Sequence, residues 1–176
     1  MTTNFKGTFT QQLPIPEDAI QNAVAVMRSG RLHRYNVVKG EVPETVLLEQ
    51  EFAAYIGSKY CLACTSGGYA LQTAMRAFGI EQGEHVLTNG FTLSPVPGAI
   101  AASGGKALFV ETTEDLVIDL DDLRAKAKSA KARILLLSHM RGHIVDMNKF
   151  SEFQILSSKS GSQVQNVFDR PVSVQK

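Results

Sequence analysis

Hydrophobic positions recur at helical spacing in two segments of the first third of the chain. In EDAIQNAVAVMRSG, residues 17–30, apolar side chains return every three or four positions, and acidic residues lead. In PETVLLEQEFAAYIG, residues 43–57, Leu48, Phe52 and Ile56 fall on one stripe. Each segment ends at a glycine, which is typical of a helix terminus. Both are therefore predicted to be amphipathic helices.

From residue 59 the pattern changes to short apolar runs that alternate with longer segments of helical spacing. The predicted strands are KYCLAC (59–64), EHVLTN (84–89), KALFVE (106–111) and ARILLLSH (132–139). The predicted helices are GYALQTAMRAFG (68–79), SPVPGAIAASG (94–104), IDLDDLRAKAKS (118–129) with Asp119 as its cap, and one that starts in DMNKFSEF (146–153). Such alternation favours an α/β fold of three layers, with a mostly parallel sheet and helices on both faces.

The last stretch, LSSKSGSQVQNVFDRPVSVQK (156–176), departs from this alternation. It is rich in Ser, Gln and Val and shows no helical stripe, so we expect a loosely held tail. The α/β series therefore stops at about residue 155 on the pattern alone.

Composition and charge narrow the class of protein. The 176 residues carry a net charge of +1, so no global field attracts nucleic acid or an anionic membrane. The first twelve residues, MTTNFKGTFTQQ, lack the apolar core of a secretory signal. We therefore expect a cytoplasmic protein without nucleic-acid or membrane partners.

The two cysteines form a C-x-x-C motif, Cys61 and Cys64, inside the first predicted strand. A redox pair of this kind normally opens a helix, and a zinc site needs a second pair of ligands that the chain does not offer. The interpretation we adopt is two buried cysteines in a core strand, with no metal site.

The segment TSGGYALQ, residues 65–72, places two glycines between a predicted strand and a predicted helix. Glycines let the backbone turn sharply, and the first N–H groups of a helix are free to bind an anion. The G-x-G-x-x-G and G-x-x-x-x-G-K-[ST] fingerprints are absent, and Cys64 breaks the G-x-S-x-G frame around Ser66. Two interpretations remain open at this point, a plain β–α turn and a phosphate site.

The order and spacing of several segments resemble one enzyme family. SGRLHRYN, LLEQEFAAYIGSKYCLACTSGGYALQ, EHVLTNGFTLSP, IDLDDL and LLLSHMRGHIVDM are together similar to the DegT/DnrJ/StrS family, over roughly residues 16–150. These are pyridoxal-phosphate-dependent aminotransferases of the aspartate-aminotransferase fold, and many act on keto-sugars attached to nucleotides. The resemblance implies pyridoxal 5'-phosphate as cofactor, an amino donor and a keto-sugar as substrates, and a homo-oligomer. It divides the chain into an N-terminal helix and loop (1–43), a partial large domain (44–155) and a divergent tail (156–176).

The resemblance also implies which residues contact the cofactor. Gly67, Gly68 and Tyr69 match the family's phosphate-binding turn, with Gly68 in place of a threonine. The hydroxyl contact is therefore lost, and the N–H groups of Gly68 and Tyr69 are the expected donors. Leu93 stands where the family lays an aromatic ring over the pyridine, so it covers the ring without stacking.

On the substrate side the resemblance points to two loops. One carries His139 and His143, for which a structural histidine bonded to backbone is the alternative. The other carries a cationic and aromatic group that could bind a carboxylate or phosphate, or could be a solvated basic loop. Its members are Arg31, His33, Arg34 and Tyr35.

The chemistry of the family also needs a Schiff-base lysine and an acid that protonates the pyridine nitrogen. Neither family segment is found in this chain, and Lys159 comes too early to replace the lysine. We therefore expect a truncated aminotransferase chain that is inactive alone. A non-catalytic partner of a full-length homologue and an unstable gene product are the alternatives.

Overall fold

The computed structural model describes residues 7–8, 10, 12–35 and 37–150. The chain forms two compact units, Met1–Ala63 and Cys64–Lys176. The predicted division at residues 43 and 155 follows the family pattern and stays a prediction, and the tail at 156–176 lies outside the described residues.

The first unit contains both helices predicted near the start of the chain. They are α1 (Glu17–Ser29) and α2 (Glu44–Ile56). Gly30 and Gly57 follow them with φ of 70° and 69°, a left-handed conformation that glycine adopts without strain. The helix boundaries predicted from the sequence are thus confirmed.

The apolar stripe of α2 is not a buried face. Leu48 is 56% exposed, Phe52 48% and Ile56 53%. Glu49 and Ala53 are instead the buried residues of this helix. Periodicity predicted the helix correctly, but burial also requires a surface that packs against the stripe, and the described part of the first unit does not bury it.

The described part of the second unit contains a parallel sheet and the helices that pack on it. The elements in chain order are α3 (Gly67–Ala77), β1 (His85–Asn89), α4 (Pro95–Ala102), β2 (Lys106–Val110), α5 (Leu120–Ala130) and β3 (Ile134–Leu136). The strands are ordered β2-β1-β3, and both pairings are parallel. A further helical turn at 147–150 closes the described residues, with Asp146 accepting from the Asn148 and Lys149 amides.

Alternate residues of β1 feed cores on opposite faces of the sheet, as the pleat of a strand requires. Val86 packs with Met75 of α3 and Ile100 of α4. Leu87 packs in the other cluster, with Leu123 of α5. Helices thus cover both faces, which confirms the predicted three-layer α/β fold with a parallel sheet.

The predicted N-cap of α5 is also confirmed. The Asp119 side chain accepts hydrogen bonds from the amides of Asp121 at 2.8 Å and Asp122 at 3.1 Å. Asp122 in turn accepts from the Glu111 amide at 2.8 Å, which lowers the pKa of its carboxyl, and Lys126 lowers it further. These contacts attach the start of the helix to the end of β2.

The predicted strand at 59–64 is wrong. Residues 60–64 have no regular secondary structure, and Cys61 and Cys64 are half-buried, are not joined in a disulfide and are not core residues. A strand requires a neighbouring strand along its length, and the described sheet contains β1, β2 and β3 alone. The Ala63 amide donates instead to the carboxylate of Glu49, at 2.8 Å.

Candidate functional site

The glycine turn of the TSGGYALQ segment is the first turn of α3. Ser66 is the N-cap in extended conformation, and its Oγ accepts a hydrogen bond from the Tyr69 amide at 3.1 Å. The Ser66 carbonyl accepts from the Ala70 amide at 2.9 Å. The amides of Gly67 and Gly68 have no acceptor among the described residues. The helix therefore begins with two N–H groups that can donate hydrogen bonds to an anion.

This geometry changes the expected set of phosphate donors. Tyr69 was expected to offer its amide, but that N–H is engaged by the cap. The Ser66 hydroxyl oxygen accepts the hydrogen bond from the Tyr69 amide, so its own O–H can still donate to a ligand. The available donors are thus the amides of Gly67 and Gly68 and the hydroxyl of Ser66.

The space in front of the turn is open. A Cβ built on Gly67 meets no atom within 4 Å, and one on Gly68 meets only Pro95 Cβ, at 3.9 Å. Pro95 begins α4, directly after the loop that leaves β1, so the first turn of α3 lies near the carboxyl end of that strand. Ligands of open parallel α/β sheets bind at this edge.

Asn89, the last residue of β1, organises the same edge and is only 1% exposed. Its Nδ2 donates to the carbonyls of Phe91 at 2.7 Å and Ser138 at 3.1 Å, and its Oδ1 accepts from the Ser138 amide at 2.9 Å. The hydroxyls of Thr92 and Ser138 are 2.6 Å apart. The loops that follow β1 and β3 are thus joined by side chains.

Leu93 lies on the loop between β1 and α4 and is 61% exposed. Phe91, two residues earlier, is half-buried, and its amide donates to Thr112 Oγ1 at 3.3 Å. The apolar side chain of Leu93 is therefore free to cover a flat ligand at this edge of the sheet.

The loop after β3 carries His139 and His143 around a short 3₁₀ turn, Met140–Gly142. Both histidines are exposed, and neither side chain hydrogen-bonds to a described residue. The alternative interpretation was a structural histidine whose side chain hydrogen-bonds to the backbone. The described part of the chain provides no such hydrogen bond. Both imidazoles are available to a ligand.

The cationic loop of the first unit is engaged in internal contacts. Arg34 binds Glu49 with its two terminal guanidinium nitrogens, at 3.0 Å and 2.6 Å, and Arg31 pairs with Glu41. The rings of His33 and Tyr35 stack with centroids 5.1 Å apart. Arg34 is thus a structural residue in this unit rather than an open anion site.

Glu49 receives a further hydrogen bond from the Ala63 amide, at 2.8 Å. That hydrogen bond holds the pKa of the Glu49 carboxyl below its ordinary value, with Arg34 adding to the effect and burial opposing it. This carboxylate thus ties α2 both to the cationic loop and to the segment that ends the unit.

The second unit contains six of the residues predicted for the site. Gly67, Gly68 and Tyr69 open α3, Leu93 precedes α4, and His139 and His143 lie on the loop after β3. Arg31, His33, Arg34 and Tyr35 belong to the first unit.

Sequence reasoning missed Ser66 as a donor, and it missed Asn89, Thr92 and Ser138. A polar residue at the last position of a buried strand, as in LTN, is the signal that points to Asn89. The hydroxyl pair of Thr92 and Ser138 has no such signal, because its members are 46 residues apart in the chain.

Comparison with known proteins defines the family. The model of the DegT/DnrJ/EryC1/StrS aminotransferase family matches residues 14–158. The chain belongs to this family. The match confirms the resemblance seen in the sequence. Aminotransferases of this family depend on pyridoxal phosphate.

Relatives and solved structures agree with this assignment. The chain is 30% identical to the UDP-2-acetamido-2-deoxy-3-oxo-D-glucuronate aminotransferase of Pseudomonas aeruginosa, over 69% of this chain and 33% of that protein. It is 37% identical to the dTDP-3-amino-3,4,6-trideoxy-alpha-D-glucose transaminase of Streptomyces venezuelae, over 62% of this chain and 29% of that one. The solved structure of S. venezuelae DesV matches with a TM-score of 0.64 and 32% identity, covering 82% of this chain and 37% of DesV.

The chain spans about a third of the length of the curated relatives it matches. The matched part holds the glycine turn at the start of α3 and the parallel sheet. Among the described residues, no helix has both the length and the apolar character needed to cross a membrane.

Proposed function

We propose that this chain supplies the phosphate-binding part of a pyridoxal-phosphate site in a nucleotide-sugar aminotransferase. One observation carries the proposal. The first turn of α3 presents two unpartnered glycine amides to open space at the carboxyl end of a parallel strand. The positive end of the helix dipole adds a favourable field for a phosphate dianion.

The residues present fit the cofactor. Gly67, Gly68 and the Ser66 hydroxyl would hold the phosphate, and Leu93 would cover the ring. The bound cofactor supplies the electron sink that amino-group transfer requires. The chain contributes by binding the phosphate and by keeping an apolar surface beside the ring.

The names of the relatives favour a nucleotide-linked keto-sugar as acceptor and an amino compound as donor. Two of the relatives above are a UDP-sugar aminotransferase and a dTDP-sugar transaminase. His139 is exposed on the loop after β3, and an imidazole there could hydrogen-bond a sugar hydroxyl or carbonyl.

The 176 residues by themselves are expected to bind the cofactor without transferring amino groups, because none of their lysines matches the family's Schiff-base segment. Titration with pyridoxal 5'-phosphate, followed by ring absorbance and fluorescence, should show saturable binding. Pyridoxal, which lacks the phosphate, is the matched ligand and should bind at least about tenfold more weakly, since charge-assisted hydrogen bonds contribute about 1.5–3 kcal/mol each. Equal affinity for the two ligands would contradict the claim that the first turn of α3 binds the phosphate.

Gly68→Ala tests the turn itself. The added methyl meets only an ordinary contact with Pro95, so the fold should persist while the methyl crowds the phosphate. We expect weaker binding of pyridoxal phosphate with an unchanged unfolding midpoint.

Borohydride reduction followed by peptide mapping then tests the absence of a Schiff base. One stoichiometrically labelled lysine would contradict it.

A second candidate function is a non-catalytic partner that associates with a full-length homologue. The exposed stripe of α2, formed by Leu48, Phe52 and Ile56, favours association, because contiguous apolar surface is typical of protein interfaces. Co-expression with a full-length homologue followed by size-exclusion chromatography is the test. Leu48→Glu and Phe52→Glu should abolish co-elution if the stripe is the interface, and Glu51→Gln, on the same helix, should not.

A further inference from the structure

The side chain of Asn89 uses its full set of hydrogen-bonding groups inside the protein. Both N–H groups donate to carbonyls, of Phe91 and Ser138, and the oxygen accepts from the Ser138 amide. Rotating the amide by 180° would set its oxygen against two carbonyl oxygens, so the hydrogen-bond network fixes the orientation.

The loop that follows Asn89 is also held by hydrogen bonds to residues at and just after the end of β2. The Gly90 amide donates to the Val110 carbonyl at 2.9 Å, and the Phe91 amide donates to Thr112 Oγ1 at 3.3 Å. Contacts from the ends of β2 and β3 therefore converge on four consecutive residues, 89–92. Leu93 follows directly, so its position is set by this group of contacts.

The hydrogen bonds of Asn89 join two loops that the proposed site uses for different purposes. One loop presents Leu93, and the other, which follows β3, contains Ser138 and presents His139. Thr92 and Ser138 add the short hydroxyl contact at 2.6 Å.

We propose that Asn89 is a positioning residue that holds the Leu93 loop and the His139 loop in register for the cofactor ring. The proposal rests on the proposed function, because it assigns the ring to the space beside Leu93. Asn89 touches neither substrate nor cofactor in this account. Its effect should fall on the ring and not on the phosphate, which the first turn of α3 holds by separate contacts.

Asn89→Asp is the sharpest variant, because it keeps the shape and removes both donors. A carboxylate at this position faces two carbonyl oxygens, so the two loops should separate. The full 176-residue chain is titrated with pyridoxal 5'-phosphate and, separately, with inorganic phosphate. Asn22→Asp, on the exposed surface of α1, is the control that makes the same chemical change.

The expected result is a selective loss. Pyridoxal phosphate should bind to Asn89→Asp at least about fivefold more weakly, and its induced circular dichroism should fall, while the affinity for inorganic phosphate stays within about twofold of the unmodified chain. Asn22→Asp should leave all three quantities unchanged. An equal loss of both ligands, or an unchanged dichroism signal, would overturn the positioning role.

A second measurement separates this proposal from the proposed function. Amide hydrogen exchange without ligand should show protected Ser138 and Phe91 amides in the unmodified chain. In Asn89→Asp the Ser138 amide should exchange at least about tenfold faster, because the carboxylate oxygen that replaces Nδ2 repels the Ser138 carbonyl and pushes this residue away from the oxygen that accepts its amide. Unchanged exchange overturns the role of Asn89. Failure of the unmodified chain to bind pyridoxal phosphate overturns the proposed function, and with it the assignment of Asn89 to the ring.

Discussion

The two compact units of this chain contain helices with similar apolar periodicity, but only the second unit buries the large apolar side chains of its helices. In the first unit α1 has no buried residue, and α2 buries only Glu49 and Ala53. In the second unit Ile100 and Leu123 are 0% exposed. The difference is the sheet, which offers an apolar face on each side. Apolar spacing thus predicts a helix, whereas burial depends on a partner layer.

The largest expected effect tests this contrast directly. Leu123→Ala should destabilise the second unit by about 2–5 kcal/mol, because it removes a fully buried side chain from a packed cluster. Leu48→Ala, the matched change on the exposed stripe of α2, should alter stability by no more than about 0.5 kcal/mol. Urea unfolding of both variants, followed by circular dichroism, measures the difference. Equal losses would show that the α2 stripe is packed in solution.

A smaller effect is expected at the start of α5, the helix with the best-defined cap. Asp119→Ala should cost about 1 kcal/mol, because two amides lose their acceptor. The control is Asp121→Ala, which removes an exposed carboxylate paired with Arg124 and should cost less than about 0.5 kcal/mol. α1 and α2 begin at prolines without side-chain caps, so the first unit offers no equivalent. If both variants unfold alike, the cap contributes nothing beyond charge.

The smallest effect concerns Glu49, since its partner Arg34 is partly exposed to solvent. The pKa of Glu49 is lowered in the folded chain, so its contribution to stability is fully present above the ordinary pKa that the carboxyl has in the unfolded chain. That contribution is lost as the pH falls through the lower folded value. The amide proton shift of Ala63 should report this titration, because that amide donates to the carboxylate.

Two variants of α2 give this titration its control. Glu49→Gln should abolish the pH response of the Ala63 amide, and Glu51→Gln, an exposed residue of the same helix, should leave it unchanged. A response that persists in Glu49→Gln would assign the titration to another group.

Sequence patterns recovered most of the fold in the second unit, because alternating strands and helices carry distinct periods. The boundaries of α3, β1, α4 and β2 follow from short apolar runs and from glycine and proline positions. The strand expected at 59–64 failed because periodicity cannot show whether a neighbouring strand exists. Its apolar residues are equally compatible with an irregular segment.

The candidate site was predictable only in part. The glycine turn is a local signal and could be located from the sequence. The Ser66 hydroxyl as donor, the engaged Tyr69 amide and the bonds of Asn89 to Ser138 depend on three-dimensional hydrogen bonding. The same holds for Arg34, whose charge suggested a ligand but is neutralised by Glu49.

The central claim is that the first turn of α3 binds the phosphate of the cofactor. Backbone amide NMR of the 176-residue chain, titrated with pyridoxal 5'-phosphate, inorganic phosphate and pyridoxal, tests it most directly. The account predicts large shifts of the Gly67 and Gly68 amides with both phosphate ligands and none with pyridoxal. Shifts confined to the Arg31–Tyr35 loop, or equal shifts with all three ligands, would contradict it.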